Sequence, residues 1–231
     1  MRGNDFKQAI KEIKNIIGEQ NILLSRVELL LNSYDSSPLK AQPEAVLNIK
    51  KTEHVAEIIK ILNKYNFPVT VRMSASNHDG ACLPLKGGFV LNLAALDKVL
   101  EINTKENYAI AESGVINQDL QDKLAPLGFF FAPDPASRNF STLGGNFALN
   151  AGGARSLKYG ASAANLLEAE VILSDGTILN LKQGNPLLHL LIKSEGTLCV
   201  FTKVKVKILN GRQIAARLVI ICFLYLIFNY Y

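Results

Sequence analysis

Phe6, Ile10, Ile13 and Ile17 recur at three- and four-residue intervals among charged neighbours, which predicts a helix over residues 5–17 stopped by Gly18. The polar run Asn32-Ser33-Tyr34-Asp35-Ser36-Ser37-Pro38 is rich in turn residues and reads as a linker, with the main domain boundary expected there. The apolar period then changes. Ala45 to Ile49 forms a short strand, and Val55, Ile58, Ile59 and Leu62 give residues 52–65 the stripe of a helix, with Thr52 as its N-cap. Residues 67–72 form a second strand that runs into a polar loop at 73–81. Strand, helix and strand in so short a span predict a pair of parallel strands.

Residues 89–93, 99–103 and 108–112 are short apolar runs between turn residues and read as further strands. Asn117 as N-cap, Leu120 and Leu124 facing inward and Gly128 just past the end predict a helix at about 117–127. Residues 131–160 are crowded with Gly, Ala, Asn and Pro and read as a long irregular loop region. Strands at 168–173 and 178–181 flank the hairpin turn Ser174-Asp175-Gly176-Thr177. Val200 to Leu209 alternates apolar residues with lysines, the pattern of a half-exposed edge strand. The fold class is α+β, without internal repeats.

Composition narrows the function classes. A chain of 231 residues with 48% apolar and 19% charged residues is globular and allows one large domain or two small ones. The net charge of +5 comes from scattered lysines with no aromatic residues interleaved, so no nucleic-acid groove is expected. Cys82, Cys199 and Cys222 lie far apart with no C-x-x-C pair, which argues against a disulfide framework or a zinc site. They fit a reducing compartment, and a cytoplasmic location is expected. Charged residues interrupt the N-terminal apolar positions, unlike a secretory leader.

Two nucleotide-binding motifs are absent: there is no G-x-x-x-x-G-K-[ST], and no G-x-G-x-x-G between the first strand and its helix. The densest unusual stretch is Pro133-Asp134-Pro135-Ala136-Ser137, Ser141-Thr142-Leu143-Gly144-Gly145-Asn146, Asn150-Ala151-Gly152-Gly153 and Lys158-Tyr159-Gly160. Paired glycines let backbone N–H groups approach a pyrophosphate, and the Ser, Thr and Asn side chains add short donors. A tightly turned loop that needs glycine for positive φ explains the glycines equally well.

These segments, followed by Ser194-Glu195-Gly196-Thr197-Leu198, occur in an order and spacing that resembles the FAD-linked 2-hydroxy acid oxidases and dehydrogenases of the glycolate oxidase and D-lactate dehydrogenase type. The resemblance covers about Pro38 to Asn210. It implies a two-subdomain FAD-binding domain of the p-cresol methylhydroxylase and vanillyl-alcohol oxidase type over residues 38–210. A helical segment and linker at 1–37 would precede it, and an apolar tail at 211–231 would fall outside the family pattern. The resemblance also implies roles. Ser74, Ala75, Ser76, Asn77 and His78 would lie in the first pyrophosphate-binding loop, and Pro133, Asp134 and Ser137 beside the flavin and pyrophosphate. Ser141, Thr142, Gly144, Gly145, Asn150, Gly152 and Gly153 would supply donors around the isoalloxazine and phosphates. Val171, Glu195, Gly196 and Val200 would line the adenosine end.

The chain departs from the family at four positions: Met73, Ala75, Lys193 and Cys199 stand where glycine is expected. Side chains at 73 and 75 would crowd a phosphate unless the loop takes another route. Some relatives attach the flavin to a histidine of this loop, but the attachment position falls nearer Ser76 than His78, so non-covalent FAD is expected. His54 and His189 read as structural. Family members continue for about as many residues again, adding a substrate-binding cap domain and a C-terminal segment with the histidines that handle a 2-hydroxy acid and often a metal. The chain therefore reads as truncated, with no catalytic or metal-binding residue of its own. A glycolate- or D-lactate-type substrate is expected only if the missing half is supplied. The alternative is an inactive flavin-binding remnant. The apolar run Leu218 to Phe228 is 11 residues long, short of the ~20 a spanning helix needs. A membrane helix, a membrane-peripheral tail and out-of-register residues after a truncating event all stay open for it.

Overall fold

The first apolar stripe is buried as its period predicts. In a computed structural model, which describes residues 2–211, helix α1 (Arg2–Ile17) places Ala9, Ile13 and Ile17 out of solvent. Strand β1 (Ile22–Leu23) follows, then α2 (Arg26–Leu31), which a reciprocal pair between Ser25 and Glu28 caps. Strand β2 (Ala45–Asn48), α3 (Thr52–Lys64), β3 (Val69–Arg72) and β4 (Phe89–Asn92) complete a first layer. Its sheet order is β1-β2-β4-β3, with β2 and β3 both parallel to β4 and β1 antiparallel to β2. The parallel strands are present as expected, with β4 inserted between them.

The boundary expected at 37/38 is not where the structure divides. α1 shares one core with Val55, Ile58, Ile59 and Leu62 of α3, and β1 belongs to the first sheet. Phe6 packs against Phe67 and Phe89 at ring-centroid distances of 6.0 and 5.5 Å. An amphipathic helix needs an apolar partner, and α3 provides it. Nor is 32–38 a free linker. Ser33 is buried, and the Asp35 carboxylate accepts from the Ser37 N–H and the Asn77 amide, each at 2.8 Å. Thr52 also differs from expectation: it is the first helical residue and buried, while Lys51 holds the N-cap position without a side-chain bond.

The second layer comprises β5 (Val99–Asn103), β6 (Tyr108–Glu112), α4 (Asn117–Leu124), β7 (Phe129–Phe131), α5 (Leu143–Ala148), α6 (Ser156–Tyr159), β8 (Leu166–Leu173), β9 (Ile178–Lys182), α7 (Pro186–Leu191) and β10 (Cys199–Asn210). Its sheet is antiparallel in the order β5-β6-β10-β8-β9, with β7 paired to the end of β10. The expected edge strand is thus the central one. Lys203 and Lys205 face Glu170 and Glu168 of β8 in register, at 3.1 and 3.3 Å. Their alternation with apolar residues records cross-strand ion pairs on one face, not an open edge.

Two further expectations change in this layer. α4 forms, but Ile116 holds its N-cap position, and the wholly buried Asn117 donates to the Pro133 carbonyl at 3.3 Å. The region 131–160 begins on the last residue of β7 and contains α5 and α6. Glycines weaken helical propensity by about 1 kcal/mol each, which hides α5 in the sequence. Burial of Leu143 and Phe147 and the Thr142 side chain, which caps the Gly145 N–H at 3.3 Å, hold it. Ile172 of β8 and Val200 of β10 belong to the first layer's core, so the two layers meet along these strands. Among the described residues, no helix is long and apolar enough to cross a membrane. The apolar run at 218–228, and Cys222 within it, lie outside the described residues.

Candidate functional site

A cavity of about 430 Å³ opens at the seam of the two layers, within the range of small-ligand sites. Three segments far apart in sequence wall it: the loop after β3, the turns around α5, and the segment that enters β10. The first contributes Ala75, Ser76, Asn77 and His78, whereas Ser74 turns outward and is exposed. The second contributes Ser137, Ser141, Thr142, Gly144 and Gly145, with Asn150 and Gly152 beyond the helix. The third contributes Glu195, Gly196 and Val200. Asn146 also faces the cavity, as do Asp79 and Cys82, which carry no motif that would single them out.

The remaining expected residues lie elsewhere. Val171 is wholly buried in the second core and does not line the cavity. Pro133 is buried, accepts from Asn117 and does not line the cavity. Asp134 pairs with Arg138 at 2.9 Å and Arg155 at 3.4 Å, and Gly153 lies so close to the Asp134 carbonyl that no Cβ would fit. These contacts brace the loop from behind.

The glycine pair splits into two cases. A Cβ on Gly144 would come within 2.6 Å of the Ser113 Cβ and 2.9 Å of the Met73 Cε, so close packing requires glycine here. Gly145 sits in α5 without a positive φ, and a Cβ there would meet only the Thr142 hydroxyl at 3.1 Å. Among non-glycine residues around the cavity, positive φ occurs at Ala75 (55°), Asn150 (50°), Lys193 (65°) and Glu195 (56°). Two of these are positions where the resemblance expects glycine, so the backbone keeps a glycine-like path beneath a side chain. Such a conformation costs a non-glycine residue about 1–2 kcal/mol.

Polar groups around the cavity are unevenly satisfied. Ser141 Oγ and Asn146 Nδ2 are buried without a hydrogen-bond partner in the protein. Leaving such groups unpaired costs about 1–3 kcal/mol each, and both sit on cavity-lining residues, where a ligand's polar atoms could reach them. Arg72 is buried beneath the first loop, with contacts of 3.5 Å to the Cys82 sulfur and the Leu31 carbonyl. Burial pushes the Cys82 thiol up to about 11, against the pull of the Arg72 charge, so Cys82 is neutral at physiological pH. Burial also raises the Asp35 carboxyl, but hydrogen bonds from Ser37 and Asn77 outweigh it and hold the group below its ordinary value. Among the described residues, no group of three or more His, Cys, Asp or Glu side chains could hold a metal.

The cavity therefore fits a large polar ligand such as FAD in its donors and in its backbone path. One side chain, Met73, stands over Gly144.

Comparison with known proteins agrees with this geometry. The profile of a family described as FAD binding domain matches residues 43–182, more than half of the chain. The glycolate oxidase subunit GlcD of Bacillus subtilis (strain 168) is 32% identical over 210 residues, covering 87% of this chain and 45% of its own length. A D-lactate dehydrogenase of Anaerostipes hadrus is 34% identical over 189 residues, covering 78% of this chain and 39% of its own. The chain thus spans less than half the length of these relatives. Among solved structures, an alkyldihydroxyacetonephosphate synthase superposes with a TM-score of 0.81 at 24% identity, over 88% of this chain and 44% of that one. p-Cresol methylhydroxylase with substrate bound superposes with a TM-score of 0.75 at 18% identity, over 90% of this chain and 44% of that one. At these identities the superpositions show the fold alone, which is that of the p-cresol methylhydroxylase-type FAD-binding domains.

Proposed function

Since the chain belongs to the FAD binding domain family, we propose that its cavity holds FAD without a covalent link and forms the flavin-binding part of an oxidoreductase acting on 2-hydroxy acids. One observation carries the reading: three distant segments converge on one cavity and leave Ser141 Oγ and Asn146 Nδ2 unpaired on its wall. In this reading Ser137, Ser141, Thr142, Asn146 and Asn150 bind and orient the cofactor. Ala75, Ser76, Asn77 and His78 close over its pyrophosphate, and Glu195, Gly196 and Val200 flank its adenosine end. The resemblance puts the attachment position nearer Ser76 than His78, which supports non-covalent binding. FAD, when bound, supplies the hydride acceptor. The protein's part is to place it and keep water from it, and no residue of this chain is assigned as catalytic.

The names of the relatives support a glycolate- or D-lactate-type substrate, to be handled by residues those longer proteins have beyond this match. The buried, unpaired thiols Cys82 and Cys199 support a reducing compartment such as the cytoplasm. Peripheral membrane association through residues 218–228 remains part of the proposal.

A second reading, a folded remnant that binds little flavin, is favoured by Met73 above Gly144. Titrating the full chain with FAD and following flavin fluorescence separates the two. Saturable binding, with all flavin released into the supernatant on acid precipitation, is expected. Absence of binding at saturating FAD would overturn the first reading. Flavin retained in the precipitate would overturn the non-covalent part.

A further inference from the structure

We propose that the Met73 side chain is a displaceable plug in the cofactor cavity, occupying the place of a ligand atom at Thr142 and setting the affinity of the site. The proposal rests on the FAD reading above. The Thr142 hydroxyl donates to the Met73 sulfur at 3.0 Å while accepting from the Gly145 N–H. Thr142 is buried, and a thioether is a weak acceptor, so its O–H is paired with a poor substitute for an anionic or carbonyl oxygen. The methyl end of Met73 fills the room in front of Gly144. Ser141 Oγ and Asn146 Nδ2, both on lining residues of the same cavity, have no partner at all. A ligand that satisfied all three groups would have to move the methionine first.

The side chain is able to move. Met73 is only partly buried, lies against the edge of the first core and has three rotatable bonds beyond Cα. Moving it exposes apolar surface, which lowers the apparent affinity by roughly tenfold for a half-buried methionine. Unlike a change of backbone at a glycine, this obstruction is reversible and lies wholly in one side chain. It accounts for how the backbone can retain the family's path at Ala75 and Lys193 while the cavity is narrowed.

The test compares FAD dissociation constants of the full chain, Met73→Ala and Met73→Leu, with folding of each checked by circular dichroism. Met73→Ala removes the obstruction and is expected to bind FAD about tenfold more tightly, although it melts at a lower temperature without ligand. Met73→Leu keeps the bulk and is expected to bind like the parent. Parent and Met73→Ala binding FAD equally well would overturn the plug and leave the FAD reading standing. Weaker binding by Met73→Ala would also overturn it, because Met73 would then be a supporting wall. No FAD binding by any of the three would overturn both. A second measurement needs no substitution. The chain has two methionines, so a spectrum of 13C-methyl-labelled methionine separates Met73 from Met1. Saturating FAD is expected to shift the Met73 line and leave Met1 in place, and an unmoved Met73 line with FAD bound would overturn the proposal.

Discussion

The Lys203 ammonium lies 3.1 Å from the Glu170 carboxylate, directly across the β8–β10 pair, and the same carboxylate accepts from the Thr202 hydroxyl at 2.8 Å. Thr202 is wholly buried, so this carboxylate ties the interior of the central strand to its surface. Glu170→Ala removes both side-chain contacts, while the Thr202 hydroxyl keeps the Glu170 carbonyl at 3.2 Å as acceptor, and is expected to lower the unfolding free energy by about 0.5–1.5 kcal/mol. Glu170→Gln keeps an acceptor for Thr202 and is expected to cost less. The urea midpoints of the two variants check the order, and equal midpoints would contradict it.

Ala75 and Lys193 hold φ of 55° and 65°. Replacing either with glycine relieves the left-handed penalty, partly offset by the greater freedom of glycine in the unfolded chain. Each substitution is expected to stabilise the chain by on the order of 0.5–1 kcal/mol. The check is thermal melting, where a lowered midpoint would mean that the Ala75 or Lys193 side chain makes contacts worth more than the strain.

Gly144 and Gly145 are neighbours with opposite expectations. Gly144→Ala drives a methyl into Ser113 and is expected to cost about 1–3 kcal/mol. Gly145→Ala lies on a helical backbone with one contact at 3.1 Å to give way, and gains helix propensity. It is expected to be neutral, or stabilising by up to about 1 kcal/mol. Denaturation curves for the pair separate packing from backbone conformation, and a similar loss in both would refute the distinction.

Cys82 and Cys199 are pushed by burial from an ordinary 9.0 up to about 11 and about 12. A folded-state value above the unfolded one means that stability from the neutral thiols is fully present below pH 9.0 and is lost as pH rises towards about 11 and about 12. At pH 8 the thiolate fraction of folded Cys82 is roughly a hundredfold below that of the unfolded chain. Iodoacetamide labelling followed by peptide mapping should show that contrast, and equal labelling rates would mean the thiol is open to solvent.

The sequence made the cavity-lining segments visible because short motifs report backbone needs directly: Thr142 before the glycine pair and Asn150 before Gly152 both end on the cavity. The amphipathic helices α1 and α3 were equally legible, since their apolar periods are uninterrupted. The position of β10 was not. Lysines that face glutamates across a sheet leave the same alternation as lysines that face water, and only the pairing partners distinguish them. α5 was hidden because its glycines argue against a helix while its stability comes from Leu143 and Phe147 in the core. The role of Met73 was half legible. The sequence marked it as an unexpected side chain, but its grip on Thr142, 69 residues away, exists only in three dimensions.

The central place of β10 has a consequence for how the chain is made. β6 and β8 do not pair with each other; each pairs with β10, the last strand of the described residues to leave the ribosome. Until residues 199–210 emerge, the nascent second layer presents two unpaired strand edges with a vacancy between them. Its apolar faces stay open to chaperones or to misplaced strands throughout that interval. A chain stopped before Cys199 would lack the strand that joins β6 to β8, leaving the second sheet split down its middle.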